Sequence, residues 1–354
     1  MGRRTPSETL TFKWGEQPDM SHKIEGIFCP HVIPLDHQGR LNESELRRII
    51  DFLIERGITG IYPNGSTGEF TRMTHAERRR IIEIVQEQAS RAGRDVPVLA
   101  GAYEANIEVT LDALNYYADL GCRAGALIAP HYYKMSQENV RTYFEEVADR
   151  AQMDIVLYNI PQFSNEISID TIEKLCQHPR IVGIKDSSRD MPRFLATINR
   201  IRPKRADFSF LVGCEEILLP TLMMGGDGGT IATSGVVPEV VMKLYNLYRT
   251  GHHDEAIKIQ YQMLDLIDAM LNGVDFPEGF RSGMTVRGFN MGRGRQHQSA
   301  KSQLDIDRLA RTIQCLLAEH GLVSKPPGGC GISQVDDQTI QAIVSQVVDR
   351  LGVN

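Results

Sequence analysis

Eight short apolar runs rich in β-forming residues alternate with eight amphipathic helical stretches, and this alternation constrains the fold of the chain more than any single motif. The runs fall at 26–33, 57–62, 96–102, 124–129, 155–160, 181–185, 208–212 and 229–233. The helical stretches fall at 43–56, 75–92, 107–120, 137–150, 169–177, 191–201, 215–224 and 239–248. A helix between successive strands returns the chain to the same end of the sheet, so the strands run parallel. Eight such units predict an α/β fold, a (β/α)8 TIM barrel, here with a C-terminal helical extension. A doubly wound sheet would place a glycine-rich cofactor turn after its first strand, where Cys29-Pro30-His31-Val32 stands instead. The chain's 354 residues suit one such barrel with additions.

Further helix is expected at 254–271 and 305–321. Between them lies a stretch rich in glycine and arginine, whose Arg281, Arg287, Arg293 and Arg295 read as a solvated or interface surface. Ser324-Lys325-Pro326-Pro327-Gly328-Gly329-Cys330-Gly331 has the composition of a flexible linker. Beyond it Ile340, Ile343, Val344, Val347, Val348 and Leu351 form one narrow helical stripe, with Asp336 or Asp337 as N-cap and Gly352 as stop. The expected division is a polar N-terminal extension (1–23), the barrel (24–250), a helical region (251–322), a linker (323–335) and an amphipathic tail helix (336–354).

A net charge of −6 without long runs of one sign gives no footprint for nucleic acid. The polar N-terminal stretch lacks an apolar signal core, and no segment approaches the roughly 20 apolar residues that span a bilayer, so a cytoplasmic protein without membrane contact is expected. Six cysteines without CxxC spacing read as reduced thiols, mostly in the core. His252-His253-Asp254-Glu255 lacks metal-ligand spacing and reads as a solvated helix start. The glycines of Gly225-Gly226-Asp227-Gly228-Gly229 read as packing positions before the last strand.

In a barrel the strand C-termini form one functional face, which brings Ser66, Thr67, Tyr158, Lys185 and Gly213 together. Lys185 ends the apolar run Ile181-Val182-Gly183-Ile184, and an amine there loses hydration, which enlarges its neutral, nucleophilic fraction. Gly65-Ser66-Thr67-Gly68-Glu69 exposes backbone N–H groups and two hydroxyls, a carboxylate cradle expected at a helix N-terminus. Tyr158, in Tyr158-Asn159-Ile160-Pro161, supplies a phenol that can move protons beside that amine.

These three motifs in this order resemble the dihydrodipicolinate synthase/N-acetylneuraminate lyase family of class I Schiff-base aldolases, over about 25–322. The resemblance implies a carbon–carbon or hydro-lyase in which Lys185 forms an imine with pyruvate or another 2-oxo acid. Tyr158 would then shuttle protons and Ser66 with Thr67 would bind the carboxylate. It implies no cofactor beyond the covalent lysine imine and no metal. It also implies a homotetramer in which Tyr132 reaches a neighbouring subunit's site. Where synthases of the family carry an arginine for the second carboxylate this chain has Phe163, which cannot make the bidentate contact of a guanidinium. The segment Tyr158-Asn159-Ile160-Pro161-Gln162-Phe163-Ser164, the serine of Gly65-Ser66-Thr67 and the pair Tyr132-Tyr133 look more like the sialic acid lyase branch. The turn Gly213-Cys214-Glu215-Glu216 strengthens that likeness, since in that branch a glycine and two acidic residues receive sugar-derived hydroxyls, and Ser187 fits its hydroxyl two residues after the lysine. Glu215 stands where an aspartate is usual, a longer acid that would shift the pocket toward a smaller polyol chain, and Ala232 stands where the lyases have a hydroxyl, so the expected substrate is a sugar-derived 2-oxo acid cleaved as an N-acetylneuraminate lyase would, without sialic acid itself being singled out. Two other readings are dihydrodipicolinate synthesis with a different cation and a non-catalytic sensor or scaffold. The linker and tail helix resemble encapsulation peptides, which implies a shell-protein partner for 336–351 and a place inside a bacterial microcompartment.

Overall fold

The computed structural model describes residues 23–330. The tail helix at 336–354 and most of the N-terminal extension lie outside the described residues. Eight strands are present: β1 (Gly26–Cys29), β2 (Gly60–Ile61), β3 (Leu99–Gly101), β4 (Ala124–Ile128), β5 (Ile155–Asn159), β6 (Ile181–Asp186), β7 (Ser209–Val212) and β8 (Gly228–Thr230). They form one sheet in the order β2-β1-β8-β7-β6-β5-β4-β3 with parallel pairing, and a bridge from Ile61 to Val98 brings its two ends together. This is the expected (β/α)8 barrel.

Side chains alternate along the strands as the pleat requires. Ala124, Ala126 and Ile128 of β4 and Val156, Tyr158 and Ile160 at β5 join Phe28, Tyr62, Leu99, Tyr103 and Leu211 in a cluster inside the barrel. Their neighbours, such as Leu127, Ile155 and Leu157, face the larger apolar layer under the helices. Around the sheet lie α1 (Glu43–Glu55), α2 (His75–Ser90), α3 (Ile107–Asp119), α4 (Gln137–Arg150), α5 (Ile169–Leu175), α6 (Met191–Ile201), α7 (Leu218–Met223) and α8 (Pro238–Arg249). In α1 the buried residues Leu46, Ile49, Ile50 and Leu53 recur at i, i+3, i+4 and i+7, one face of a helix laid on the sheet. Asn42, Thr74, Ser136 and Ser168 accept backbone N–H groups at their helix starts, and Thr74 with Glu77 completes a capping box.

The departures from expectation lie toward the C-terminus. Helix α7 is short because Pro220, which lacks an N–H, is tolerated only in a first turn, and a 3-10 turn at Glu215–Ile217 precedes it. The helix expected at 254–271 divides at the buried Met263 into α9 (His253–Gln262) and α10 (Leu264–Asn272). The glycine- and arginine-rich stretch contains α11 (Glu278–Val286). A side chain at Gly279 would stand 2.1 Å from the carbonyl oxygen of Met270, so that glycine marks close helix contact. Of the basic cluster only Arg293 is exposed as expected, and the other three arginines are drawn into the fold. Arg281 is buried and donates to the carbonyls of Ile33 and Met291, Arg287 pairs with Glu239, and Arg295 pairs with Glu77. A guanidinium with five donors can satisfy several carbonyls at once, which makes such burial tolerable.

Helix α12 (Ala300–Glu319) ends the described core. Cys29, Cys122, Cys176 and Cys214 are buried free thiols as expected, but Cys315 of α12 is bonded to Cys330 with Cα atoms 5.5 Å apart. Their separation in sequence hid a pairing that the return of the chain makes geometrically natural. The first part of the expected linker thus lies along α12, where Arg311 donates to the Gly329 carbonyl, Gln314 donates to that of Ser324, and Pro326 is buried.

Candidate active site

Strands β5 and β6 pair so that Tyr158 stands directly opposite Lys185 and Asn159 opposite Asp186. The second pair locks the first. Asp186 accepts from Asn159 Nδ2 and Arg193 Nη1, each at 2.8 Å, and from the Ser188 amide at 2.9 Å, while Asn159 Oδ1 accepts the Ile167 amide. With the carboxylate beside it committed in this way, Lys185 is left with no ion pair or hydrogen bond among the described residues. Its side chain is 4% exposed, and its Nζ lies 4.0 Å from the centre of the Tyr158 ring and 4.5 Å from that of Tyr62.

Lys185 and Tyr158 line a cavity of about 360 Å³ at the C-terminal ends of the strands. Ser66, Thr67, Phe163, Ser187, Gly213, Glu215 and Glu216 line it too, so nine of the ten expected site residues meet in one place. Tyr132 does not line this cavity. It lies in the loop between β4 and α4, 89% exposed, with φ of 75° and its ring edge against Tyr133.

The loop carrying Ser66 and Thr67 differs from expectation in one respect. No long helix begins there: a 3-10 turn at Phe70–Arg72 follows, and α2 starts only at His75. The reason is local. Asn64 and Glu69 adopt positive φ (55° and 52°), which bends the chain away from a helical path, and the Glu69 carboxylate is buried beside Arg72 and Arg281. The hydroxyls of Ser66 and Thr67 nonetheless border the cavity.

The far wall is polar. Glu215 is fully buried, and its Oε1 accepts the amide (2.9 Å) and hydroxyl (3.2 Å) of Thr233. Burial pushes its carboxyl above the usual range, against the lowering by the Thr233 hydrogen bonds. Ser187 Oγ and Glu216 Oε2 are buried without a partner, two groups that a bound hydroxyl would satisfy. A Cβ at Gly213 would fall 1.9 Å from Ser187 Oγ and 3.0 Å from Lys185 Cε, so any side chain there would collide with Ser187 and crowd the lysine. Cys214 also borders the cavity, with its thiol pushed up to about 12 by burial, so the thiolate is not populated near neutrality.

Some lining residues were not singled out from the sequence. Arg189 stands at the rim in the left-handed region with φ of 64°, its Nη2 3.4 Å from Glu216 Oε1. Its position directly after the lysine-bearing strand and turn was the available signal. Phe276 and Phe280 close the cavity from the helical region beyond the barrel, and no local pattern marks residues so distant in sequence. Among the described residues no group of three or more His, Cys, Asp or Glu is arranged to hold a metal ion, and no helix is long and apolar enough to cross a membrane.

Comparison with known proteins matches residues 23–314 to the Dihydrodipicolinate synthetase family. A 4-hydroxy-tetrahydrodipicolinate synthase of Methanopyrus kandleri is 34% identical over 71% of this chain and 83% of its own length. A prophage protein of E. coli K12 belonging to the dihydrodipicolinic acid synthase family, solved in complex with pyruvate, superposes with a TM-score of 0.77 at 25% identity, covering 84% of this chain and 99% of that one. A 2-keto 3-deoxygluconate aldolase from Picrophilus torridus gives a TM-score of 0.71 at 27% identity, over 78% and 98%.

Proposed function

Since the chain belongs to the dihydrodipicolinate synthetase family of lyases, we propose that it cleaves a sugar-derived 2-oxo acid by retro-aldol chemistry through an imine on Lys185. The observation that carries this reading is the register that sets Tyr158 opposite a buried, unpaired Lys185 at the base of a cavity with a hydroxyl-lined end and an acidic end. The lysine nitrogen attacks C2 of the 2-oxo acid, Tyr158 gives its phenol proton to the departing hydroxyl, and loss of water leaves a protonated imine beside a phenolate. Ser66 and Thr67 receive the substrate carboxylate. The Tyr158 phenolate removes the proton from the C4 hydroxyl, the C3–C4 bond breaks with its electron pair entering the imine, and an aldehyde departs. Tyr158 passes that proton to C3 of the enamine, and water adds to the resulting imine, returning a proton to the phenolate and releasing pyruvate and free lysine. Glu215, Glu216 and Ser187 face the polyol half, which an acid-lined pocket with unpaired acceptors suits better than an apolar chain. Pyruvate release from a panel of 2-oxo-3-deoxy sugar acids of four to nine carbons tests the reading, and absence of release from all of them sinks it.

One observation favours a second reading, condensation of pyruvate with aspartate semialdehyde. Arg189 puts a guanidinium on the rim although Phe163 occupies the place of the usual arginine. In that case Arg189→Ala raises KM for the semialdehyde about 10- to 100-fold, the loss of a charged hydrogen bond. An unchanged KM removes the second reading.

The assembly reading rests on Tyr132, whose 89% exposure and strained backbone suit a side chain buried by a neighbouring subunit of a homotetramer. For the tail, the reading remains a microcompartment address, with the enzyme held inside a shell in the cytoplasm. Deleting 336–354 is expected to abolish co-purification with shell protein while pyruvate release continues. Loss of activity together with solubility would instead assign the tail to the fold.

A further inference from the structure

Tyr62 belongs to none of the three motifs, yet its ring is one of the two aromatic faces against Lys185. It follows β2 directly, is fully buried, and lies edge-on to Tyr158 with ring centres 6.4 Å apart. Its hydroxyl is shared with that of Tyr103, which follows β3, at 2.5 Å. Burial pushes both phenols well above the ordinary range, so both rings are neutral, and the Tyr62 hydroxyl is committed to Tyr103. What Tyr62 offers the lysine is therefore its face, 4.5 Å from Nζ at the ring centre, against the Tyr158 face at 4.0 Å. Gly65 completes the arrangement: a Cβ there would stand 3.1 Å from the Tyr62 ring, so the loop bearing Ser66 packs flat against it.

We propose that Tyr62, braced by Tyr103, is a positioning residue whose ring face, set nearly perpendicular to that of Tyr158, holds the Lys185 nitrogen in its cationic forms, above all the protonated imine. The reasoning is electrostatic. A cation buried in a barrel interior needs compensation, Lys185 has no carboxylate paired with it among the described residues, and the acid that follows it in the strand, Asp186, is engaged by Asn159, Ser188 and Arg193. Two ring quadrupoles replace it without fixing a proton acceptor beside the amine. A carboxylate at the same place would pair with the ammonium and hold it out of reaction. The faces attract positive charge without hydrogen bonding, so the lysine stays free to lose its proton and attack, and the imine regains the attraction once it is protonated.

This inference rests on the Schiff-base reading, and the experiment separates the two. The full chain is titrated with pyruvate under borohydride, and the concentration giving half-maximal trapping is compared among Tyr62→Phe, Tyr62→Leu and Tyr62→pentafluorophenylalanine, the last introduced by site-specific incorporation. Tyr62→Phe keeps the face and is expected within about threefold of the unaltered chain. Pentafluorophenylalanine has nearly the same shape with its quadrupole reversed, and Tyr62→Leu has no face. Both are expected to need about tenfold more pyruvate, between what an exposed and a fully desolvated cation–π contact contribute. A ring that served packing alone would leave the fluorinated variant level with Tyr62→Phe, and that equality overturns the proposal even if Tyr62→Leu fails to fold. If the unaltered chain traps no pyruvate, the Schiff-base reading itself has failed.

Discussion

Incubated with pyruvate and borohydride, the unaltered chain is expected to gain one reduced pyruvate per subunit on the peptide containing Lys185, and the Lys185→Ala protein none. The selectivity follows from environment. Among the described residues Lys185 is buried without an ion pair and shares a cavity with the hydroxyls of Ser66 and Thr67, whereas Lys23, whose side chain is also largely covered, is held by Asp227. Exposed lysines meet pyruvate in water, where the hydrated ammonium dominates and an imine has no surrounding to hold it. Cleavage by Lys185→Ala should fall to background, because without the covalent imine the C3–C4 electrons have no sink. Fold is not at stake, since the lysine side chain makes no hydrogen bond or ion pair among the described residues whose loss would strand a partner. Mass mapping of the trapped protein decides the matter, and an adduct that persists in Lys185→Ala would relocate the chemistry.

The second large effect is expected from Tyr158→Phe. The ring remains in the barrel interior with its contacts to Tyr62 and Tyr103, at centre distances of 6.4 and 5.9 Å, so thermal stability should change by less than about 1 kcal/mol. Only the hydroxyl is lost. If that hydroxyl moves the proton in dehydration and in bond cleavage, kcat falls about 10²- to 10⁴-fold while the pyruvate adduct still accumulates slowly under borohydride. The separation matters, because a variant that traps pyruvate but does not turn over places Tyr158 in proton transfer. Full activity in Tyr158→Phe would send the search for the proton carrier to other hydroxyls of the cavity, Ser66 and Thr67 first.

What could be read from the chain in advance was governed by distance along it. Strand and helix order follows from local periodicity, and every barrel strand lies within or one residue beyond the apolar run expected for it. The strand-end motifs at Ser66, Tyr158 and Lys185 converge because the barrel topology requires it, so their meeting could be inferred without a single measured contact. Phe276 and Phe280 reach the cavity only through the packing of α10 and α11, a long-range event without a local signature. No helix was expected in the stretch rich in glycine and arginine, where Gly279 and Gly283 let α11 approach its neighbours closely. Arg281 misled because a sequence does not reveal that carbonyls of Ile33 and Met291 will converge on one guanidinium.

The bond between Cys315 and Cys330 also makes the fastening of 323–329 to α12 partly a matter of redox chemistry. Closed, it adds a covalent tie to the contacts that Arg311 and Gln314 make with the Gly329 and Ser324 carbonyls. A reductant removes the tie and leaves the two hydrogen bonds, so proteolytic cleavage between Val323 and Gly329 is expected to quicken when the protein is reduced.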